Sequence, residues 1–453
     1  MDLPPLHLDR AAARPLAAQL ADALRAATAG GLLRAGERLP STRTLAATLG
    51  VSRTVTTAAY EQLLAEGWAQ GRRGAGTFVV GAPARAIAAA PAVPAVEPPR
   101  PTPIELRSGV PCLHVLDRAA WRRAWRAAAD PPADSGPDPL GWPPFRAVVV
   151  EHLLRHRGLP VDPSQVLATA GSTAAVAELA RTLPPGARVA VEEPGYPRAV
   201  AALRDAGLDV VAAPVDGSGL VVDALPTGIS AVYCTPAHQY PLGARLSAGR
   251  RVALIDRARA EGWLVIEDDY DGELRYDVAP LPLLAALGPD VVAHLGTASK
   301  LLTPTLGAAW LVAPATVRAA VLERRERTGA RPARAGQRVF VTLAEHGDLA
   351  RHLRRLRREL AGRRAEVIET AAAVGLPVRG DAAGAHVVLP LPDGRAEREA
   401  IASAAERGVT LDGLARHHAG EPTWTGLVLG YAAPTRADLR RGLDVIAELA
   451  GRW

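Results

Sequence analysis

Residues 291–300 read Val-Val-Ala-His-Leu-Gly-Thr-Ala-Ser-Lys, and Lys300 is the single lysine of the 453-residue chain. The other 52 of its 53 Lys and Arg residues are arginines. A composition this rich in Ala, Gly, Pro and Arg writes arginine wherever a surface positive charge is enough. A lysine kept against that bias points to a task closed to guanidinium, which stays charged at any usable pH. That task is to supply a deprotonatable primary amine. Val291–Leu295 reads as a strand, so Lys300 stands at a strand end beside the hydroxyls of Thr297 and Ser299. Such a lysine suits Schiff-base formation with an aldehyde cofactor, with Thr297 and Ser299 donating to a phosphate.

Working outward, Val265–Asp271 (VIEDDYD) also sits at a predicted strand end. A carboxylate there can pair with a protonated pyridine nitrogen, and a tyrosine hydroxyl can bond a ring phenolate. Mg²⁺ is the alternative for an acidic run, but no histidine lies close by in sequence, and no metal site is expected. Thr169–Ala175 (TAGSTAA) follows a strand and opens a helix, whose first N–H groups make an anion site. Glu193–Arg198 (EPGYPR) offers an aromatic to stack on a flat ring and an arginine to take a carboxylate.

These motifs lie in a region where strands and helices alternate. Predicted strands are Val166–Thr169, Arg188–Val191, Val210–Ala213, Ala231–Cys234, Trp263–Ile266, Val291–Leu295 and Ala308–Val312. Helical patterns between them give an α/β fold with a mostly parallel sheet covered on both faces. After Pro314 a long Arg-rich helical stretch runs to Val374, followed by a smaller α/β segment. The stretch Arg318–Arg364 reads as a solvated face with Glu323, Glu326 and Glu359 as partners. His417 and His418 read as a solvated loop, and Cys234 as core.

Upstream, the Ala/Pro-rich residues 81–104 contain seven prolines and cannot hold a packed core. They read as a semi-stiff spacer between an N-terminal unit, 1–80, and a C-terminal unit, 105–453. The uncharged stretch Leu301–Val317 is broken by Pro304, Gly307 and Pro314, which excludes a membrane span there. The opening MDLPPLHLDR lacks the pattern of a signal peptide. Two cysteines, Cys112 and Cys234, make neither a disulfide framework nor a zinc cage, so a cytoplasmic setting is expected.

The N-terminal unit reads as three helices and a hairpin. Pro15–Thr28 is amphipathic through Leu16, Leu20 and Leu24. A second helix starts at the N-cap Ser41 and ends at Gly50; a third starts at Ser52 and runs to Glu66. On the third, Val55, Ala59 and Leu63 share the core face, while Arg53, Thr54 and Thr57 point away. Short strands near 68–70 and 77–80 follow, with Arg72 and Arg73 at the tip between them. A short turn followed by a helix of small polar and Arg side chains suits the DNA major groove. Nine arginines against six acids in residues 1–80 support this weakly.

The segment RLPSTRTLAATLGVSRTVTTAAYEQLLAEGWAQGRRGAGTFV resembles the winged helix-turn-helix of the GntR family. EEPGYPRA, YCTPAHQYPLG, LVIEDDYDGELRY and GTASKLLTP resemble fold-type-I aminotransferases and, behind such a winged helix, the MocR/GabR-type transcription regulators. The resemblance spans about residues 10–450 and implies pyridoxal 5'-phosphate (PLP) as cofactor. It implies Lys300 as the Schiff-base lysine, Asp268 for the pyridine nitrogen and Tyr270 for the ring hydroxyl. Tyr196 is then the stacking partner, with Gly171, Ser172, Thr173 and Ser299 around the phosphate. Arg198 matches an effector contact. DNA contacts fall to Arg43, Ser52, Arg53, Thr54, Thr57 and the wing residues Arg73 and Gly74. The implied partners are double-stranded operator DNA, a second copy in a homodimer, and an effector that is an amine, an amino acid or PLP itself.

Four positions depart from the aminotransferase pattern. Tyr240 replaces an asparagine, Gly307 the phosphate-binding arginine, Gly136 a phosphate-binding tyrosine given to the partner subunit, and Val428 the arginine that grips a substrate carboxylate. Tyr240 and Val428 oppose a working aminotransferase; Gly307 and Gly136 favour a decayed pocket, which the retained Lys300 opposes; a PLP-binding regulator is the reading expected ahead of these two alternatives. One alternative is a working aminotransferase with a DNA-binding head; the other is a DNA-binding dimer with a decayed pocket.

Overall fold

The computed structural model describes residues 6, 8–10, 12–72, 75–80, 103–132, 136, 138–276 and 281–451. The chain divides into two compact units near residue 98. The expected spacer 81–104, apart from its last two residues, lies outside the described residues, as do Arg73 and Gly74.

The first unit holds α1 (Leu16–Ala29), α2 (Thr42–Leu49), α3 (Arg53–Ala65) and the antiparallel hairpin of β1 (Ala69–Arg72) and β2 (Gly76–Val79). The Ser41 hydroxyl accepts from the Thr44 N–H at 3.0 Å and the Ser52 hydroxyl from the Val55 N–H at 3.4 Å. Each cap satisfies an otherwise orphaned helix-start donor. Only Gly50 and Val51 separate α2 from the second cap, which fixes a tight helix-turn-helix. Leu20, Leu24, Leu45, Ala59 and Leu63 form the core. One expectation changes: Thr56 and Tyr60 join Ala59 and Leu63 in the interior, and Val55 is half-buried. Both hydroxyls are satisfied there, Thr56 donating to the Thr42 carbonyl at 2.9 Å and Tyr60 to that of Pro40 at 2.8 Å.

The second unit opens with β3 (Ile104–Glu105), α4 (Arg118–Ala129) and α5 (Pro143–Arg157). Next come β4 (Val166–Thr169), α6 (Ser172–Ala180), β5 (Arg188–Glu193), α7 (Pro197–Asp205), β6 (Asp209–Asp216), β7 (Gly219–Leu220) and β8 (Ala231–Cys234). They are followed by α8 (Ala248–Glu261), β9 (Leu264–Asp269), α9 (Leu284–Leu287), β10 (Val292–Thr297) and β11 (Ala309–Val312). These strands form one eight-stranded sheet in the order β4-β11-β10-β9-β8-β5-β6-β7. Pairings from β10 through β6 are parallel; β11 and β7 run against their neighbours. Parallel strands buried on both faces are apolar along their length, as Ala231–Cys234 and Leu264–Ile266 are.

The Arg-rich stretch after Pro314 is three helices rather than one: α10 (Ala315–Thr328), α11 (Arg334–Glu345) and α12 (Asp348–Ala373). Gly329 and Gly347 end or start them with left-handed backbone. Nor is it wholly a solvated face. Arg325 is buried and donates to Glu178 at 2.7 Å; Arg363 is buried and caps the carbonyls of Tyr431, Ala432 and Pro434 at 2.6–3.0 Å. The chain ends in a smaller subdomain of β12 (His386–Pro390), α13 (Gly394–Glu406), β13 (Val409–Thr410), β14 (Gly426–Gly430) and α14 (Arg436–Ala450). β12 pairs antiparallel with β14, and β13 pairs parallel with β3.

Two contacts fix the sheet where function is expected. A β-carbon at Gly296 would stand 2.1 Å from the Trp310 indole nitrogen, so only glycine lets β10 pass this ring just before Lys300. Arg157, the last residue of α5, forms a two-point ion pair with Asp269 at the end of β9, at 2.6 and 2.7 Å, with both side chains buried. Removing one member of such a pair strands a buried charge. Arg157→Met is expected to cost the second unit about 3–5 kcal/mol in urea unfolding. Adding Asp269→Asn should recover most of that loss; an additive double variant would contradict the pairing.

Candidate functional site

The parallel strands end on one side of the sheet, and there a cavity of about 460 Å³ opens. Ligand sites of α/β sheets lie at such carboxyl ends. Every residue expected to meet the cofactor lines it: Gly171, Ser172, Thr173, Tyr196, Asp268, Tyr270, Thr297, Ser299 and Lys300. Arg198 lines it as well. Of the departures, Tyr240 is in the wall.

Asp268 is the second-to-last residue of β9 and 3% exposed. Its Oδ2 accepts from the Tyr233 hydroxyl at 2.6 Å, while its buried Oδ1 has no partner among the described residues. Burial pushes its carboxyl up to about 6, against the Tyr233 hydrogen bond, which favours the charged form. An open oxygen on a buried carboxylate is a receptor for an N–H donor. Lys300 donates from Nζ to the Gly109 carbonyl at 2.5 Å. Burial lowers its ammonium pKa, opposed by Asp271 and Asp268 and assisted by Arg198.

At the next corner α6 starts on Gly171 with no side-chain cap. Its first N–H groups therefore open onto the cavity beside the hydroxyls of Ser172 and Thr173. Thr297 Oγ1 donates to Ser299 Oγ at 2.9 Å and accepts the Ser299 N–H at 3.1 Å, so Thr297 braces the turn that leads to Lys300.

The facing wall is aromatic, with Tyr240 at its centre. The ring lies edge-on to Tyr196, Tyr270, His386 and His417 at 5.2–5.8 Å between centroids. Its hydroxyl pairs with Ser108 Oγ at 2.7 Å, and burial pushes its pKa up to about 12. Buried Glu192 holds this loop by accepting from the Thr235 N–H and hydroxyl at 3.0 and 2.6 Å; burial pushes its carboxyl up to about 7. The Tyr270 hydroxyl stands 3.1 Å from His238 Nδ1, which also meets Asp271 at 2.8 Å. His417, expected in a solvated loop, is buried against Tyr240 instead.

The other departures also have physical settings. Gly307 has φ +59°, a backbone that L side chains rarely adopt, and a β-carbon there would stand 3.9 Å from the Ala170 carbonyl. The position thus adjoins the α6 corner and carries no side chain. Val428 is fully buried in a small apolar cluster with Val215, Leu242, Val388 and Leu414. Gly136 is exposed and outside the cavity wall; its carbonyl accepts from Arg334 at 3.2 Å. Sequence reasoning passed over Tyr233, Ser108, His386 and Arg416, all of which line the cavity. Tyr233 was within reach, because β8 pairs with β9 and Tyr233 falls beside Ile266. His386 and Arg416 come from the last subdomain and carry no local signal.

In the first unit Arg43, Ser52, Arg53 and Thr54 are exposed and Thr57 is half-buried, at the start of α2 or along the outer face of α3. Arg72 lies over the Phe78 ring at 4.6 Å.

Two family models match this architecture: the gntR family of bacterial regulatory proteins over residues 16–79, and aminotransferase class I and II over residues 101–446. The chain belongs to the GntR-type transcription regulators that carry an aminotransferase class I and II body. It is 36% identical over 438 residues to the pyridoxine biosynthesis transcriptional regulator PdxR of Corynebacterium glutamicum, covering 95% of each chain. It is 30% identical over 469 residues to the probable rhizopine catabolism regulatory protein MocR of Rhizobium meliloti, covering 97% of this chain and 94% of that one. Among solved structures, an archaeal alanine:glyoxylate aminotransferase shares the fold with a TM-score of 0.73 at 23% identity, over 77% of this chain and 91% of that one. No helix among the described residues is long and apolar enough to cross a membrane.

The half-satisfied Asp268 carries a stability signature. Its folded pKa of about 6 lies above the ordinary aspartate value of 3.8, so the folded form keeps a proton that the unfolded chain releases. Stability from this group is full below the unfolded value and is lost as pH rises through about 6. Two pKa units correspond to about 3 kcal/mol. Without cofactor, Asp268→Asn should therefore raise stability at pH 8 by up to about 3 kcal/mol and leave it unchanged near pH 3. Equal effects at both pH values would contradict the assignment.

Proposed function

We propose that this chain is a DNA-binding transcription regulator whose aminotransferase-like body holds PLP and reports its presence, alone or with an amine ligand, to the winged helix. The observation that carries the reading is the open Oδ1 of buried Asp268, in the same cavity as the chain's single lysine and the uncapped start of α6. The relatives named for pyridoxine biosynthesis and rhizopine catabolism support a small-molecule signal of this class.

The residues fit the group. PLP when bound supplies an aldehyde that a primary amine captures, on an electron-withdrawing pyridine ring. Asp268 would accept the ring N–H and favour its protonated form, with Tyr233 holding the carboxylate in place. Tyr196 would stack on the ring and Tyr270 would meet its hydroxyl. The α6 start, Ser172, Thr173 and Ser299 would hold the phosphate. Lys300 supplies the amine, and its burial raises the share of neutral nucleophile.

Without a cation at Gly307 the phosphate loses a charge-assisted contact, about 1.5–3 kcal/mol or roughly one to two decades of affinity. Such affinity suits a sensor whose occupancy follows the free concentration. With Val428 buried among apolar side chains, β14 offers no carboxylate grip, which opposes steady-state amino transfer.

At the other end, α3 presents Arg53, Thr54 and Thr57 to the major groove, with Arg43 and Ser52 at its approach. A homodimer places two such helices on two half-sites, and exposed Leu113 and Trp125 suit self-association.

Titrating the purified protein with PLP should produce a visible absorbance band that borohydride reduction removes and that Lys300→Ala lacks. No band at saturating PLP would overturn the cofactor reading. Arg53→Ala should weaken operator binding by about 1–3 kcal/mol and relax preference at one base pair, whereas loss of a phosphate contact weakens all sequences alike. Anisotropy titration against single-base operator variants separates the two.

A further inference from the structure

One histidine nitrogen is shared by two residues of the turn after β9. His238 Nδ1 stands 2.8 Å from Asp271 Oδ2 and 3.1 Å from the Tyr270 hydroxyl, and the His238 and Tyr270 rings are stacked at 6.1 Å between centroids. His238 and Asp271 are buried, their side chains 2% and 4% exposed. The loop that carries His238 is pinned on either side of it. Arg251 Nη2 donates to the Pro236 carbonyl at 2.8 Å, and Gln239 Nε2 to the Pro194 carbonyl at 2.9 Å. From the C-terminal subdomain Gly384 closes on the pair. Its φ is +70°, and a β-carbon there would overlap His238 Cε1 and stand 2.6 Å from Asp271 Oδ2, so only glycine lets the backbone pass.

A carboxylate oxygen only accepts, so the contact with Asp271 places a hydrogen on His238 Nδ1. The Tyr270 oxygen, beside the same nitrogen, accepts a second branch of that N–H. A phenol whose oxygen accepts keeps its own hydrogen for another partner. The groups that face the triad do not take it. The Tyr240 hydroxyl pairs with Ser108 Oγ, Asp268 accepts from Tyr233, Glu192 accepts from Thr235, and Lys300 donates to the Gly109 carbonyl. His386, with its ring 5.1 Å from that of His238, meets the Pro241 carbonyl through Nε2 at 3.0 Å. Among the described residues, then, the Tyr270 hydrogen has no acceptor, and Tyr270 lines the cavity.

We propose that His238 and Asp271 are a positioning pair for Tyr270: the shared N–H holds the phenol oxygen and leaves the phenol hydrogen aimed at the ring oxygen of bound PLP. His238 touches no ligand in this arrangement and acts through Tyr270 alone. Asp271 has a second effect, because its charge opposes the burial that lowers the Lys300 pKa. The histidine, and not the aspartate, is therefore the residue to vary. The ring oxygen rests on the PLP reading above; the hydrogen on Nδ1 does not.

The first arm of the test needs no cofactor. In full-length protein with isotope-labelled histidine, the ring nitrogen signals lost in His238→Asn belong to His238. They should show Nδ1 carrying a hydrogen; a bare Nδ1 would overturn the pair. The second arm titrates the protein with PLP and follows the visible band. A donor at the ring oxygen favours that oxygen's anionic form. His238→Phe should therefore raise the pH midpoint of the band by about half a unit or more and weaken PLP about tenfold. His238→Asn, which keeps an N–H near the Nδ1 position, should restore most of both, with circular dichroism reporting intact folding. In a Tyr270→Phe background the His238→Phe change should add little, because the histidine acts through the phenol. Full additivity, or an unchanged midpoint and affinity in folded His238→Phe, would contradict the proposal. No band in the parent protein refutes the cofactor reading, while the histidine signals still decide where the hydrogen lies, so the two failures are distinguishable.

Discussion

Seven consecutive residues, Glu267 to Glu273, bury five carboxylates, and the rest of the second unit is arranged to make that tolerable. Glu267 accepts from the N–H groups of Leu284 and Ala285, Asp269 pairs with Arg157, Asp271 with His238, and Glu273 with His152. The partners come from α5, α9 and the loop after β8, so the acids fasten β9 and the turn that follows it to their surroundings. Asp268 is the exception, with one oxygen on Tyr233 and the other without a partner among the described residues. An uncompensated buried polar atom costs free energy that a ligand donor recovers. On the PLP reading proposed above, that atom holds in reserve part of the binding energy for a protonated ring.

On the regulatory reading proposed above, this cavity differs from a working aminotransferase site. The lysine, the aspartate and the helix-start anion corner are together, but the cations that grip phosphate and substrate in the resembled family are replaced by Gly307 and Val428. Tyr240, in place of an asparagine, becomes the hub of an aromatic wall that joins both subdomains. A site that binds but turns over poorly is useful for sensing, because occupancy rather than flux carries the message. A ligand shifts a two-state equilibrium only by its difference in affinity for the two states. Contacts that span the subdomains lie at Tyr240 and between the loops 193–198 and 412–420, where the Gly195 N–H donates to the His417 carbonyl.

Much of this was legible in the sequence. The one lysine in an arginine-rich chain, the VIEDDYD strand end and the TAGSTAA helix start pointed to residues that the fold gathers on one cavity. Those signals were local, each a strand or helix terminus with its own chemistry. The central strands were readable because parallel strands buried on both faces are short apolar runs, as at Ala231–Cys234 and Leu264–Ile266. What the sequence hid was long-range. His386, Arg416 and Ser108 reach the cavity through subdomain packing. The burial of His417, Arg325 and Arg363 depends on carbonyls and carboxylates from distant elements, as in the caps on Tyr431, Ala432 and Pro434. The inward turn of Thr56 and Tyr60 likewise required carbonyls at Thr42 and Pro40 that no helical periodicity announces.

A sensor of this build must couple the state of the cavity to the reading of DNA. The most direct test is the affinity of the full-length protein for DNA from its own promoter, measured with no PLP and with saturating PLP, in the parent protein and in Lys300→Ala. A shift of about fivefold or more is expected in the parent, corresponding to about 1 kcal/mol of coupling, and none in the variant. Equal affinity in all four conditions would contradict it, because a ligand that leaves DNA binding unchanged carries no signal through this body.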